Sequence, residues 1–156
     1  MAALEIVDVF IVDLNCRVVR DLNSQAQLPI INSQYSFQIE PAGMIQHRTV
    51  TDTQERIHIF RYFIKAGLRV LKPEASTEKP TLENTDLLSE IYATLAVDYS
   101  CPGDFDKDAE AVAAFTANAQ FHAWPYWREI VHSHLSLMRL PRVTLPMMKV
   151  GQSKRK

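Results

Sequence analysis

The stretch Phe60-Arg61-Tyr62-Phe63-Ile64-Lys65-Ala66-Gly67-Leu68-Arg69-Val70 decides the fold. Phe60, Tyr62, Ile64, Ala66, Leu68 and Val70 fall on one side of it. Arg61, Phe63, Lys65, Gly67 and Arg69 fall on the other. A period of two sustained this far means a long strand with one face in a core and one face wet. A second stretch behaves the same way. Leu87, Ser89, Ile91, Ala93, Leu95, Val97 and Tyr99 alternate with Leu88, Glu90, Tyr92, Thr94, Ala96 and Asp98. Between the two, residues 72–86 carry two prolines and many polar side chains, the composition of a surface loop. Two strands of similar length joined this way are compatible with an antiparallel hairpin.

Working outward, residues 34–40 place Tyr35, Phe37 and Ile39 on one face of another strand. Pro41-Ala42-Gly43 breaks it, and residues 44–48 continue it after a bulge. Residues 4–19 are apolar on both sides. Leu4, Ile6, Phe10, Val12 and Leu14 form one face, and Val7, Val9 and Ile11 the other. Such a strand is expected to be covered on both faces. Residues 23–33 form a polar loop around an apolar knot, Leu28-Pro29-Ile30-Ile31.

Beyond Cys101 the pattern becomes helical. Asp104 or Asp106 is expected to cap a helix, with Asp108 and Glu110 favourable in its first turn. Ala109, Val112, Ala113 and Thr116 recur at helical spacing, and Phe121-His122-Ala123 reads as a joint. Pro125 suits the first turn of a second helix, where a missing N–H costs nothing. Trp124, Trp127, Val131, Leu135 and Met138 make one stripe of it, Glu129, His132, Ser133 and Ser136 the opposite face, and Pro141 ends it. The expected fold is α+β, a four-stranded antiparallel sheet with two C-terminal helices packed on one side. The 156-residue length suits a single domain over residues 1–150, followed by a short basic tail at 151–156 that is expected to be disordered.

Composition narrows the function. Hydrophobic residues make up 47 %, enough for a core or for a core plus an apolar binding surface. The net charge of −1 lacks the basic surface that nucleic acid demands. No run approaches the ~20 apolar residues of a membrane span. Glu5, Asp8 and Asp13 interrupt the first apolar stretch, unlike a signal peptide. Cys16 and Cys101 are then expected to be reduced thiols of a cytoplasmic protein. Four glycines are too few for phosphate-cradling loops. His132 and His134, two apart on a helix, point about 200° from each other and cannot grip one metal ion. No nucleophile elbow and no acid–base carboxylate pair is visible, so neither an enzyme nor a cofactor is expected.

The unusual feature is the aromatic cluster Phe121-His122-Ala123-Trp124-Pro125-Tyr126-Trp127. Tyr126 lies off the stripe of Trp124 and Trp127, so one helix face cannot bury them all. The excess implies an oligomer interface or a groove for ligands.

Pro125-Tyr126-Trp127-Arg128-Glu129, with Leu140-Pro141-Arg142-Val143-Thr144-Leu145-Pro146 after it, resembles the last helix and closing segment of the SecB export chaperones. The order of strands and helices is similar too, over about residues 4–148. The resemblance implies a cytoplasmic homotetramer, a dimer of dimers, that holds unfolded or precursor polypeptides without nucleotide and passes them to the SecA motor. It implies client-binding grooves at Leu28, Ile30, Ile31, Tyr35, Phe37, Trp124 and Trp127. It also implies a SecA-docking face at Asp13, Leu88 and Glu90. Asp13 matches an acidic first-strand position, and Leu88-Ser89-Glu90 is similar to the family's Leu-Cys-Glu. The chain departs from the family in its near-neutral charge, in Ala93-Thr94 where a Gly-Gly pair stands, in Arg17 reversing a charge, and in its short basic tail. Two alternatives stand beside the export reading. One is a dedicated SecB-like chaperone of a single client such as an antitoxin. The other is a small-molecule-binding or enzymatic domain built on the aromatic pocket.

Overall fold

The computed structural model describes residues 4–18, 32–48, 56–72, 87–101 and 104–145. Leu28, Ile30 and Ile31, most of the 72–86 loop and the 151–156 tail lie outside the described residues.

Four strands come first: β1 (Glu5–Val18), β2 (Asn32–Arg48), β3 (Arg56–Leu71) and β4 (Leu87–Cys101). They form one antiparallel sheet in the order β1-β4-β3-β2. β3 and β4 pair directly, with Ala66 opposite Ala93 and Tyr62 opposite Val97. β2 runs through the Pro41-Ala42-Gly43 break by a register shift between Pro41 and Gly43. Gly43 adopts φ 105°, a conformation that glycine reaches without steric cost.

β1 differs from its expectation. It is an edge strand, and among its residues only Val9 is buried. Register shifts fall between Ile6 and Asp8 and between Ile11 and Asp13. Each inserts one residue and flips the alternation, which is why apolar side chains occupy both faces without both being covered.

A short 3-10 turn (Phe105–Lys107) leads into one long helix, α1 (Ala109–Leu137). Asp108, not Asp104 or Asp106, is its N-cap, accepting a hydrogen bond from the Ala111 N–H at 2.9 Å. The two expected helices are a single one of 29 residues, with Pro125 inside it. Proline there removes the N–H that would bond to the Phe121 carbonyl and costs about 3 kcal/mol. Buried Ala123, Trp124 and Trp127 clamp both sides of that point, so packing carries the helix through. The expected stripe is otherwise in place: Trp124, Trp127, Val131 and Leu135 are buried, while Met138 is half-buried. In the N-terminal half, Val112, Phe115 and Ala119 meet the core, while Ala109 and Ala113 face outward.

The core lies between α1 and one face of the sheet. Phe60, Tyr62, Ile64, Ala66, Leu68 and Val70 of β3 all point into it, as the alternation requires. Tyr62, Tyr99 and Phe115 form an aromatic junction, with Tyr99 and Phe115 edge to face at 4.8 Å. Two tyrosine hydroxyls tie the sheet to the helix. Tyr62 donates to the Val112 carbonyl at 2.9 Å, and Tyr99 meets His122 Nδ1 at 2.7 Å. Burial first, then the Cys101 charge, pushes the Tyr62 pKa up to about 12.

Candidate functional site

Three surfaces carry the residues singled out from the sequence. The first is the junction of β2 with α1. Phe37 meets the Trp124 ring edge to face at 5.4 Å. Tyr35, two positions back on the same face by strand alternation, is 56 % exposed. Ile39, two positions on, is half-buried against the core. Half-buried Phe37 and buried Trp124 therefore touch where edge strand β2 meets α1, with exposed Tyr35 two positions back along the strand. Trp124 is 8 % exposed and its indole N–H has no acceptor among the described residues. Trp127 belongs elsewhere. It is 0 % exposed, deep in the core, and holds the helix down instead of lining a groove. A stripe at helical spacing tells which face is inward but not how deep each ring goes.

The second surface is the sheet face away from α1. It holds Arg61 with Asp98, joined by two hydrogen bonds at 2.6 and 2.7 Å, with Arg61 also over the Phe10 ring. It holds Lys65 with Glu40 at 2.9 Å. It holds Arg69 with Glu90 at 2.7 Å, and the Tyr92 hydroxyl 3.0 Å from the same guanidinium. Tyr92 lies over Gly67, where an added Cβ would meet its ring at 2.6 Å. This cover corrects the expectation for Glu90. The residue is on the polar face, but it is 5 % exposed because Arg69 and Tyr92 close over it. Leu88 is corrected too: it is 2 % exposed and part of the core. Asp13 alone of the three is exposed, opposite Thr94, at a shallow depression of about 290 Å³ shared with Gln38, Lys65 and Tyr92.

The third surface is the outer side of α1 and its continuation. Tyr126 and Leu137 are exposed there on one flank, eleven residues and so about 20° apart, while exposed Phe121 lies on the opposite flank of the buried stripe. Sequence reasoning anticipated Tyr126 as surplus to the core. It missed the β1 edge, where Ile6, Val7, Ile11 and Val12 are each about half exposed. The signal was present as two-sided hydrophobicity, but the position of β1 at the sheet edge was not.

Groups suited to bond-making chemistry are not assembled. Among the described residues, no cluster of three histidine, cysteine or carboxylate side chains could hold a metal ion. His132 is exposed, whereas the His134 ring bonds to the Ile130 carbonyl at 2.7 Å. Burial pushes the Cys16 and Cys101 thiols up, away from the reactive thiolate. None of the described helices is long and apolar enough to cross a membrane.

The architecture as a whole matches a known one. The chain has the SecB-like α+β fold. It is similar to the SecB-like chaperone Rv1957 of Mycobacterium tuberculosis, a structure solved in complex with a ChAD peptide from the Rv1956 HigA1 antitoxin. The TM-score is 0.61 at 20 % sequence identity, over 94 % of this chain and 91 % of that one. No family model matches the sequence, and no curated protein does. At this identity the likeness establishes the shared fold. It also explains the expected element order, which the single helix modifies only by joining two segments into one.

Proposed function

We propose that this protein is an ATP-independent chaperone that holds non-native polypeptide against the strip of Tyr35, Phe37 and Trp124. The observation that carries the reading is exposed Tyr35 beside half-buried Phe37 on edge strand β2, next to the helix. An extended client laid there adds its own apolar side chains to a surface already built, gaining ~1.5–3 kcal/mol for each one fully buried. No nucleotide or chemical step is required, because release needs only weak individual contacts that add along one client. Leu28, Ile30 and Ile31, outside the described residues, enter this proposal through the family resemblance alone.

Of the two chaperone readings, a dedicated client is favoured over delivery to SecA. Two of the three docking residues, Leu88 and Glu90, are occupied within the fold. The structural neighbour was solved with a peptide from an antitoxin, and a client of that class is the one proposed. The proposed assembly is a cytoplasmic dimer of dimers. Two separate apolar surfaces support it: the β1 edge, and the flank of α1 that carries Tyr126 and Leu137. An edge strand with bare apolar side chains and unpaired backbone is a site for association with a second copy.

The test is suppression of aggregation of chemically unfolded, unrelated proteins without ATP, comparing wild type with Phe37→Ser. Wild type should delay aggregation, and the variant should need about tenfold more protein for the same delay. Equal potency of the two would remove the strip as the binding site. A dedicated chaperone should delay aggregation of unrelated proteins only in large molar excess, and suppression at stoichiometric amounts across them would favour the general export chaperone.

A further inference from the structure

A second surface on this chain is built for polypeptide, and its chemistry is opposite to that of the aromatic strip. At the end of α1, Arg139 takes φ 54°, the left-handed conformation. The Leu140 N–H reaches back to the Leu135 carbonyl at 3.0 Å, and the Arg139 N–H to the Ser136 carbonyl at 3.1 Å. These two bonds form a Schellman closure with arginine at the position that glycine usually holds. The chain therefore turns sharply and runs back beside the helix. Leu140 and Leu145 are buried and anchor it, while Arg142 and Thr144 point outward.

A cleft of about 470 Å³ opens between this returning segment and the flank of the helix. Arg128, Glu129 and His132 line one wall, and residues 142–145 the other. No residue of β2 takes part, so the cleft is distinct from the aromatic strip. Two features say what fits. Among the described residues, the backbone N–H and C=O groups of 142–145 make no hydrogen bond, which leaves donors and acceptors of this lining segment for a partner. Arg128 and Arg142 are exposed and have no ion pair among the described residues. Glu129, the one carboxylate among the described residues lining the cleft, already accepts the Ser133 hydroxyl at 2.8 Å.

We propose that this cleft binds an extended, acidic segment of a partner polypeptide, which pairs with the backbone of 142–145 and sets its carboxylates against Arg128 and Arg142. Backbone pairing supplies affinity without sequence, and the two guanidiniums select acidic side chains at alternate positions. The proposal does not require the aromatic strip to bind anything.

The probes are two fluorescein-labelled eight-residue peptides, one alternating valine with glutamate and one alternating valine with lysine. Binding to the full chain is read by anisotropy at low salt. The glutamate peptide should bind at least about tenfold more tightly, and the margin should shrink as salt is raised. The double variant Arg128→Glu with Arg142→Glu should reverse the preference, with an unchanged circular dichroism spectrum because both side chains are at the surface. Phe37→Ser, which disables the aromatic strip, should retain the acidic preference. Absence of binding, equal binding of the two peptides to wild type, or an unreversed preference in the double variant overturns the proposal. So does loss of acidic-peptide binding in Phe37→Ser, which would move the peptide to the aromatic strip.

Discussion

The centre and the edges of the sheet are made of similar residues and do different work. β4 and β1 are both rich in valine, isoleucine and leucine. Yet Ile91, Leu95 and Val97 are fully buried, while Ile6, Val7, Ile11 and Val12 stand about half in solvent. The difference is placement. β4 has a neighbour on each side and α1 above it, whereas β1 has one neighbour only. β2, the other edge, repeats the theme with aromatics, leaving Tyr35 exposed beside Phe37. Stability is thus concentrated in β3, β4 and the helix, and the apolar surface left for association sits on the two edges. Each edge has its own chemistry. Branched aliphatic side chains on β1 suit a fixed, self-complementary contact. Aromatic rings on β2 offer broad, flat apolar surface, as the proposed client-holding strip requires.

If that division holds, the largest effect comes from disturbing the centre at a residue that looked like a docking site. Glu90→Lys removes the partner of Arg69 and places a second cation beside it, under Tyr92. Breaking a buried pair in this way costs about 3–5 kcal/mol. The urea midpoint should fall sharply, and both client holding and assembly should decline together with the fold. An unchanged midpoint together with selective loss of one partner would restore Glu90 as a binding residue and blur the line between centre and edge.

What the sequence showed and hid follows the same division. The β3 alternation was legible because a strand's side-chain period is fixed by covalent geometry, and every residue from Phe60 to Val70 lies on the face it implied. β1 was legible as a strand but not as an edge, because strand order is a long-range property and two register shifts scramble its faces. Pro125 pointed to a helix start by a local rule. Trp124 and Trp127, buried on either side of it, overrode that rule through tertiary packing. For the candidate site, alternation gave Glu90 its face but could not show that Arg69 and Tyr92 close over it. Trp127 had the right stripe and the wrong depth. Phe37 and Trp124 touch, a contact between distant parts of the chain that no local pattern encodes. The cleft beside 142–145 had no sequence signal beyond Pro141, since it depends on a left-handed turn at an arginine.

A smaller effect on folding, and a specific one on assembly, is expected at the β1 edge. Ile6→Lys with Ile11→Lys adds charge to side chains that are already about half exposed. Exposed substitutions change stability by only about 0.5 kcal/mol either way. Two lysines on an edge strand nevertheless block pairing with another copy. The mass in solution, read by light scattering, should halve while the urea midpoint stays near that of wild type. An unchanged mass would move the interface to the outer side of α1 and leave β1 without its proposed role. A collapsed midpoint would show that the edge contributes to folding as much as the centre does.

A subtler effect, read in how stability varies with pH, tests how the helix is fastened over the centre. Tyr62 is fully buried and donates to the Val112 carbonyl, and burial raises its pKa from the ordinary 10.0 to about 12. The folded protein therefore resists ionisation that the unfolded chain accepts. The stabilisation is complete below pH 10.0 and is lost as pH rises through about 12. Tyr99 is shifted in the same direction, by burial first and then by the Tyr62 charge. The two thiols, raised by burial from 9.0, start the decline earlier. Tyr62→Phe should cost about 1 kcal/mol at pH 8, because the Val112 carbonyl keeps a second side-chain donor in Thr116 at 3.2 Å. The variant should then lose less stability than wild type between pH 9 and pH 11, so that the two urea midpoints converge. Parallel decline of the two proteins would mean that Tyr62 ionises no differently in the folded state, and that the base sensitivity of the centre resides in Tyr99 and the thiols.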